Sequence, residues 1–474
     1  MKSPGSRGKR VATSRRIVVG AVAVLCVAGL LGVTGLRRIG GERTSDANVI
    51  LISIDTLRSD RLSLYGYHRP TSPHLEELAG RGIVFDRFYQ NGGGTLESHL
   101  TMMTSLRPGS HQVTSHNKRR LEPERITLAE TLKSAGYVTA GFVDDGWMAG
   151  TFGFSQGFDV YDDRGGGFRE ILPRVRGWID ARGGRPFFLF VHTYDVHSAF
   201  HELPYDCPGD YQNRYTAGAR PAFTGCRDGR CASTLLVWLN RQITAGALEA
   251  AEFFSPGEVD YISALYDGCI NYADDKVAEV LDLLRRRDLF DNSLIIVTSD
   301  HGEEFLDHGM VIHAQSAYEE FARVPLVIKM PGQERSGVRI DDLAAMIDVM
   351  PTILDRLGIQ VPAQAQGSSL LPLIRTGRPV HDDVHLEDGI VTARWKYIGD
   401  RGLLFDLKND PRERLNLAPA FPRLMDLFSA QLRATTEADR REHSAFARRV
   451  SPSEPVLLSK EKEERLRSLG YVGR

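Results

Sequence analysis

Four stretches of the chain are apolar at nearly every position rather than at alternate ones: "NVILISID" (48–55), "PFFLFVHTYDVH" (186–197), "NSLIIVTSDHGEE" (292–304) and "VPLVIKM" (324–330). A continuous apolar run of this length, broken by polar punctuation, predicts a strand covered on both faces, the pattern of a parallel or mixed sheet sandwiched between helices. Between them the period changes to three or four. "SPHLEELAGRG" and "ITLAETLKSAGY" each begin at a capping residue and close on glycine, and Ile262, Leu265, Cys269, Ala273, Val277, Val280 and Leu284 line one stripe of a long helix from about Pro256 to Arg287. The first three strands end in acids or histidines. In an open α/β sheet, ligands collect outside the carboxyl ends of the strands, so these endings are where chemistry is expected. Past about Val361 the segments shorten, predicting a small antiparallel sheet closed by helices. No internal repeat or long low-complexity tract interrupts this plan.

The first forty residues depart from it. They carry eight basic residues and no acid, and between Arg16 and Arg37 runs "IVVGAVAVLCVAGLLGVTGL", which as a helix rises roughly 30 Å, the thickness of a bilayer's hydrocarbon core. The reading is a basic cytoplasmic tail (1–16), a transmembrane anchor (17–36) and a linker (37–47), with the body on the periplasmic or extracellular side. A cleaved signal peptide of twin-arginine type, given Ser14 to Arg16, is the alternative; no small-x-small cleavage site follows Leu36. The 474 residues carry a net charge of -2, and with the basic N-terminus set apart the body is mildly acidic, which gives no reason to expect nucleic acid as a partner. Of five cysteines, Cys207, Cys226 and Cys231 share a Gly/Pro-rich insertion; a disulfide between Cys226 and Cys231 and three separate thiols are equally compatible with the spacing.

Candidate chemistry concentrates at strand ends and one glycine turn. Asp55 ends the first strand, Asp300 and His301 end the third, and Thr95 follows Gly92 to Gly94 at the start of an apolar helix. Two carboxylates and an imidazole brought together by neighbouring strands suit a divalent cation, and a helix N-terminus beside it suits a tetrahedral oxyanion. The bland reading of Thr95 is an ordinary helix cap, and that of Asp300 and His301 a strand-ending turn.

Three stretches in order, "NVILISIDTLRSDRLSLYGYHRPTSPHLEELAGRGIVFDRFY", "TSDHGEEFLDHGMVIHAQSAYEEFARVPLVI" and "LFDLKNDPRERLNLA", resemble the signature stretches of the sulfatase family within the alkaline phosphatase superfamily, and the terminal "LRSLGYVG" is similar to the ending of many bacterial members. The resemblance implies an alkaline phosphatase-like α/β fold with a catalytic domain over 48–360 and a C-terminal subdomain over 361–474. It implies Asp55, Asp300 and His301 as ligands of one divalent metal ion (Ca, Mn or Zn), Thr95 in the nucleophile's place, and His197 and His313 in contact with substrate or leaving group. His308 precedes His313 in the same stretch.

The departures carry chemical content. Where the family has Cys-x-Pro-x-Arg, or serine first, this chain has Thr95, Leu96, Glu97, Ser98 and His99; the second acid of the usual Asp-Asp pair is Thr56; the usual Lys-x-His segment is absent from "VDDGWMAGTFGF"; and the later lysine position is Ala314. Threonine cannot be oxidised to formylglycine, so none is expected. A threonine ester must be attacked again at phosphorus or sulfur, which phosphoryl enzymes do with metal help, so mechanism favours phosphoester hydrolysis or phosphoryl transfer while the family favours sulfuric esters. The expectation is a hydrolase of an anionic ester (glycan, lipid or small molecule); the alternative is an inactive domain that binds anionic glycans or lipid headgroups.

Overall fold

The computed structural model of the chain describes residues 46–198, 203–216, 254–313, 316–451 and 455–468, with isolated positions 236, 238–240, 242–243 and 453. The predicted tail and anchor, Cys226, Cys231 and Ala314 lie outside the described residues. The expected transmembrane helix is corrected as an element of this fold: no helix among the described residues is long and apolar enough to cross a membrane.

The described residues form one compact unit built on an eight-stranded mixed sheet. Its strands are β1 (Asn48–Ile54), β2 (Ile83–Tyr89), β3 (Val138–Phe142), β4 (Val160–Asp162), β5 (Phe187–Thr193), β6 (Ser293–Thr298), β9 (Leu326–Lys329) and β10 (Val338–Ala345); a two-stranded ribbon, β7 (Glu304–Phe305) and β8 (Val311–Ile312), stands apart. The order across the main sheet is β10-β2-β9-β6-β1-β5-β3-β4. β1 lies at its centre, parallel to both β5 and β6, and only β9 runs against its neighbours β2 and β6.

The continuous apolar runs follow from that position. Ile50, Ile52 and Ile54 of β1 enter one core with α1 (Pro73–Gly80), α4 (Gly167–Ala181) and the long α5 (Pro256–Arg286), while Val49 and Leu51 enter a second core on the other face with α2 (Thr95–Thr104), α3 (Leu128–Ser134), α6 (Val349–Arg356) and α7 (Leu371–Thr376). With both faces covered there is no face on which a polar alternate would be tolerated. α3 and α5 begin at full capping boxes, Thr127 with Glu130 and Ser255 with Glu258.

The expected antiparallel sheet is present as β11 (Asp383–His385), β12 (Gly389–Thr392), β13 (Trp395–Ile398) and β14 (Leu403–Asp406), a simple meander beside α8 (Pro422–Ala447). The stretch "LFDLKNDPRERLNLA" holds it in place. Asp406 accepts from Arg394 at 2.8 Å and from Asn409 at 2.9 Å, while Glu413 accepts from the Glu319 amide at 2.7 Å and pairs with buried Lys396 at 3.1 Å. The last described helix, α9 (Lys460–Ser468), buries Leu466 in the second core and sets Lys462 3.2 Å from Asp163, beside the turn Gly146–Met148.

Candidate active site

Sheet register builds the site. Ser53 of β1 pairs with Thr298 of β6 on one side and His192 of β5 on the other, so two residues further on Asp55 stands level with Asp300. The ligand atoms of Asp55, Asp300 and His301 all lie within 4.8 Å of one another, and all three residues are buried. Asp55 Oδ1 and Asp300 Oδ2 accept no hydrogen bond among the described residues. Two buried carboxylates in this arrangement resist ionising together. Burial, followed by the charge of Asp300, pushes the Asp55 carboxyl well above the usual range. Burial also opposes ionisation of Asp300, but the imidazoles of His301 and His99 outweigh it and hold that carboxyl low. Orphaned carboxylate oxygens converging beside an imidazole fit a divalent cation.

Hydrogen bonds fix which nitrogen of each histidine faces the cluster. His301 Nδ1 donates to the Gly302 carbonyl at 2.9 Å, so Nε2 presents its lone pair inward. That lone pair accepts the Thr95 hydroxyl at 3.2 Å. The cap position of α2 belongs instead to Gly94, which has no side-chain capping bond. Thr95 is therefore the first residue of the helix, buried, with its hydroxyl turned toward the carboxylate cluster at the positive end of the helix dipole. The glycine turn explains this placement. A Cβ on Gly92 would meet the Ser98 backbone nitrogen at 2.3 Å, and Gly93 adopts φ +85, so neither position accepts an ordinary side chain.

His197 Nδ1 donates to the Ser198 carbonyl at 2.6 Å and its Nε2 lies 4.0 Å from Asp55 Oδ1; burial, with the neighbouring His313, holds its pKa well below normal. His313 packs at a tilt against His197, with ring centroids 4.5 Å apart and planes inclined by 46°, and lies 3.6 Å from Glu303. All six expected site residues are thus gathered at one end of the sheet. His308 is not among them: it bonds Glu320 at 2.5 Å and stacks on Tyr318, in the network that anchors the C-terminal sheet.

Two histidines joined the site unannounced. His99, where the family motif has arginine, donates from Nδ1 to the Thr95 carbonyl at 2.8 Å and accepts Ser53 Oγ at Nε2, 2.9 Å away, so it ties the first turn of α2 to β1. His192 donates from Nε2 to Asp55 Oδ2 at 3.2 Å, which leaves Oδ1 aimed inward. The only sequence signal was a histidine within an otherwise apolar strand or helix. Thr56 adopts a left-handed φ of 58, rare for a β-branched residue; there its amide donates to Asp300 Oδ1 at 3.2 Å and its hydroxyl to the Asp55 carbonyl at 2.7 Å.

This sheet, with acids and imidazoles at the carboxyl ends of its central strands, defines the class: an ester-hydrolysing enzyme of the alkaline phosphatase type. The sulfatase family model matches residues 47–359, and the model for the C-terminal region of N-sulphoglucosamine sulphohydrolase matches 307–437. The chain belongs to the sulfatase family. It is 30% identical to the multifunctional alkaline phosphatase superfamily protein PehA of Trinickia caryophylli, over 80% of this chain and 93% of that one, and 26% identical to a delta 4,5-hexuronate-2-O-sulfatase of Bacteroides thetaiotaomicron, over 78% and 84%. Among solved structures, the phosphonate monoester hydrolase of Agrobacterium radiobacter shares the fold at a TM-score of 0.64 and 20% identity, covering 83% of this chain and 96% of that one. A structure in complex with its substrate D-glucosamine-2-N,6-O-disulfate aligns at 0.66 and 19%, covering 84% and 99%.

Proposed function

We propose that the chain is a metal-dependent hydrolase in which Thr95 itself is the nucleophile, acting on phosphate-type esters in preference to sulfate esters. One observation carries the reading: a buried threonine hydroxyl, at a helix N-terminus and 3.2 Å from His301 Nε2, stands where the family places an oxidised cysteine or serine. Asp55, Asp300 and His301 would hold the cation, and the imidazole in that set leans toward Zn or Mn over Ca. When bound, such an ion lowers the pKa of a neighbouring hydroxyl and offsets the negative charge of the ester.

The chain's own groups supply the rest. The N-terminus of α2 favours the anion. His99 fixes the Thr95 carbonyl and so the rotation of the first helical turn. Attack at phosphorus by Thr95 Oγ, its proton having passed to solvent, forms the Thr95 ester and expels the alcohol, which takes a proton from His197 Nε2; the incoming anion raises the affinity of that nitrogen for the proton. Water then attacks the same phosphorus, its proton returning to Nε2, and Thr95 is released as the alkoxide that began the cycle. His313, packed against His197 and 3.6 Å from Glu303, closes that side of the site. A phosphonate monoester hydrolase shares this fold with the sulfatases, so the fold accommodates phosphorus as well as sulfur esters, and the preference for phosphorus rests on Thr95.

The test is turnover by the purified chain of aryl phosphate, phosphodiester, phosphonate and sulfate with Mn, Zn or Ca. The reading predicts phosphorus esters ahead of the sulfate, and loss of turnover in Thr95→Ala and Asp300→Ala. No turnover of any ester, with no metal retained, would overturn it.

A further inference from the structure

Beyond His197 the described chain resumes at 203–216, and that segment lies along α5. Tyr205 packs edge-on against Tyr266 with centroids 5.3 Å apart, and Tyr211 packs in the same manner against Tyr272, also at 5.3 Å. The Tyr211 hydroxyl donates to Asp275, and Arg214 donates to Asn271. The approach is close enough that a Cβ on Gly268 would meet the Tyr211 carbonyl oxygen at 2.2 Å. The two chains therefore advance together, 205 beside 266 and 211 beside 272, which brings Cys207 opposite Cys269. Both are buried, at 3% and 1% exposure, in the same core, and Cys207 is close enough to Cys269 to add to the upward push that burial gives its thiol. Both are free thiols in this structure.

We propose that Cys207 and Cys269 are a disulfide site, a covalent staple joining the 203–216 segment to α5 when the chain matures in an oxidising compartment. The pairing is neither of the two alternatives left open by the spacing, a Cys226–Cys231 bridge or three separate thiols, because it depends on a contact across 62 residues that only the fold shows. The chemistry is thiol–disulfide exchange with a small disulfide such as oxidised glutathione. One cysteine thiolate attacks a glutathione sulfur and displaces the other as a thiol; the second cysteine then attacks the protein sulfur of the mixed disulfide and displaces the second glutathione. The two cysteines lose two electrons and two protons, and one glutathione disulfide becomes two thiols. Burial pushes the Cys269 thiol well up, so the exchange belongs to folding, before the segment closes over the helix. The staple bears on the active site, since Tyr205 also packs on Phe305 at 5.7 Å and lies beside Glu303, the neighbour of His313.

The experiment is peptide mapping of the full chain, refolded in a glutathione redox buffer or taken from an oxidising periplasm, alkylated under denaturing conditions without reductant. The expected product is one cross-linked pair holding Cys207 and Cys269, two hydrogens lighter than its separate peptides and lost on reduction. Recovery of both cysteines alkylated, or of Cys207 linked to Cys226 or Cys231, would overturn the proposal. In a Cys226→Ser, Cys231→Ser background, reductant should lower Tm by roughly 5 °C, the value for opening a loop of this length in a unit this large, and should leave the further Cys207→Ser, Cys269→Ser variant unmoved. An equal fall in both chains would contradict it.

Discussion

Replacing Asp55 by asparagine separates the cost of the carboxylate cluster from its use. Asp55 and Asp300 are fully buried, with ligand atoms within 4.8 Å. Burial and the charge of Asp300 push the Asp55 carboxyl well above its usual range, so at neutral pH this group costs the folded chain stability. At 4.8 Å two unit charges repel by about 3.5 kcal/mol at an effective dielectric of 20. Asparagine removes the charge while its side-chain oxygen can still accept from His192 Nε2. In chelator the variant should therefore be the more stable chain, by about 4 °C in Tm, given an unfolding entropy of about 0.9 kcal/mol/K for a unit this long. With metal the order should invert: the parent gains about 2.7 kcal/mol at a hundredfold excess over Kd, and the variant gains almost nothing. The assay is a pair of thermal melts, with chelator and with Mn or Zn. A variant less stable in both conditions would show that Asp55 serves the apo fold, and the cation reasoning would fail.

Thr95→Ser should retain turnover of phosphorus esters within about tenfold, since the hydroxyl keeps its place, whereas Thr95→Ala should lose it; steady-state kinetics on aryl phosphate decides. His192→Asn keeps a donor near Asp55 but shortens it, so metal affinity measured by calorimetry should fall about 10- to 100-fold with the fold intact. Asp274, remote from the site, accepts the His74 and Leu75 amides, and burial raises its pKa from 3.8 to about 6. Native protein therefore binds this proton more tightly than unfolded chain does, and stability falls as pH rises from about 4 to 6. Melts of Asp274→Asn across that window should show a flatter profile than the parent, and an unchanged slope would refute the assignment.

The parts of this molecule that were legible in the sequence are those whose physics is local. β1, β5, β6 and β9 announced themselves because double-sided burial leaves no polar alternate, and Asp55, Asp300 and His301 because polar residues ending such strands stand out. β2 and β10 did not: "IVFDRFY" and "VRIDDLAA" mix charges with apolar residues, as suits strands whose flanks reach solvent. His99 and His192 were hidden for a different reason. A histidine in an apolar strand or helix reads as core, and what gives these two meaning is contact across 46 and 137 residues with Ser53 and Asp55. His308 shows the converse, a histidine in a motif that the fold spends on anchoring Glu320 and the C-terminal sheet.

The central claim is that Thr95, unmodified, forms the covalent bond. It is tested most directly by rapid quench of the His197→Ala variant with an activated aryl phosphate and the metal, followed by mass spectrometry of the peptide holding Thr95. An activated leaving group needs no proton to depart, so the first step persists while breakdown of the ester slows. The account predicts one phosphoryl group on Thr95, formed as quickly as the aryl alcohol is released. Release of the alcohol with Thr95 unmodified, or with the group on another side chain, would contradict it.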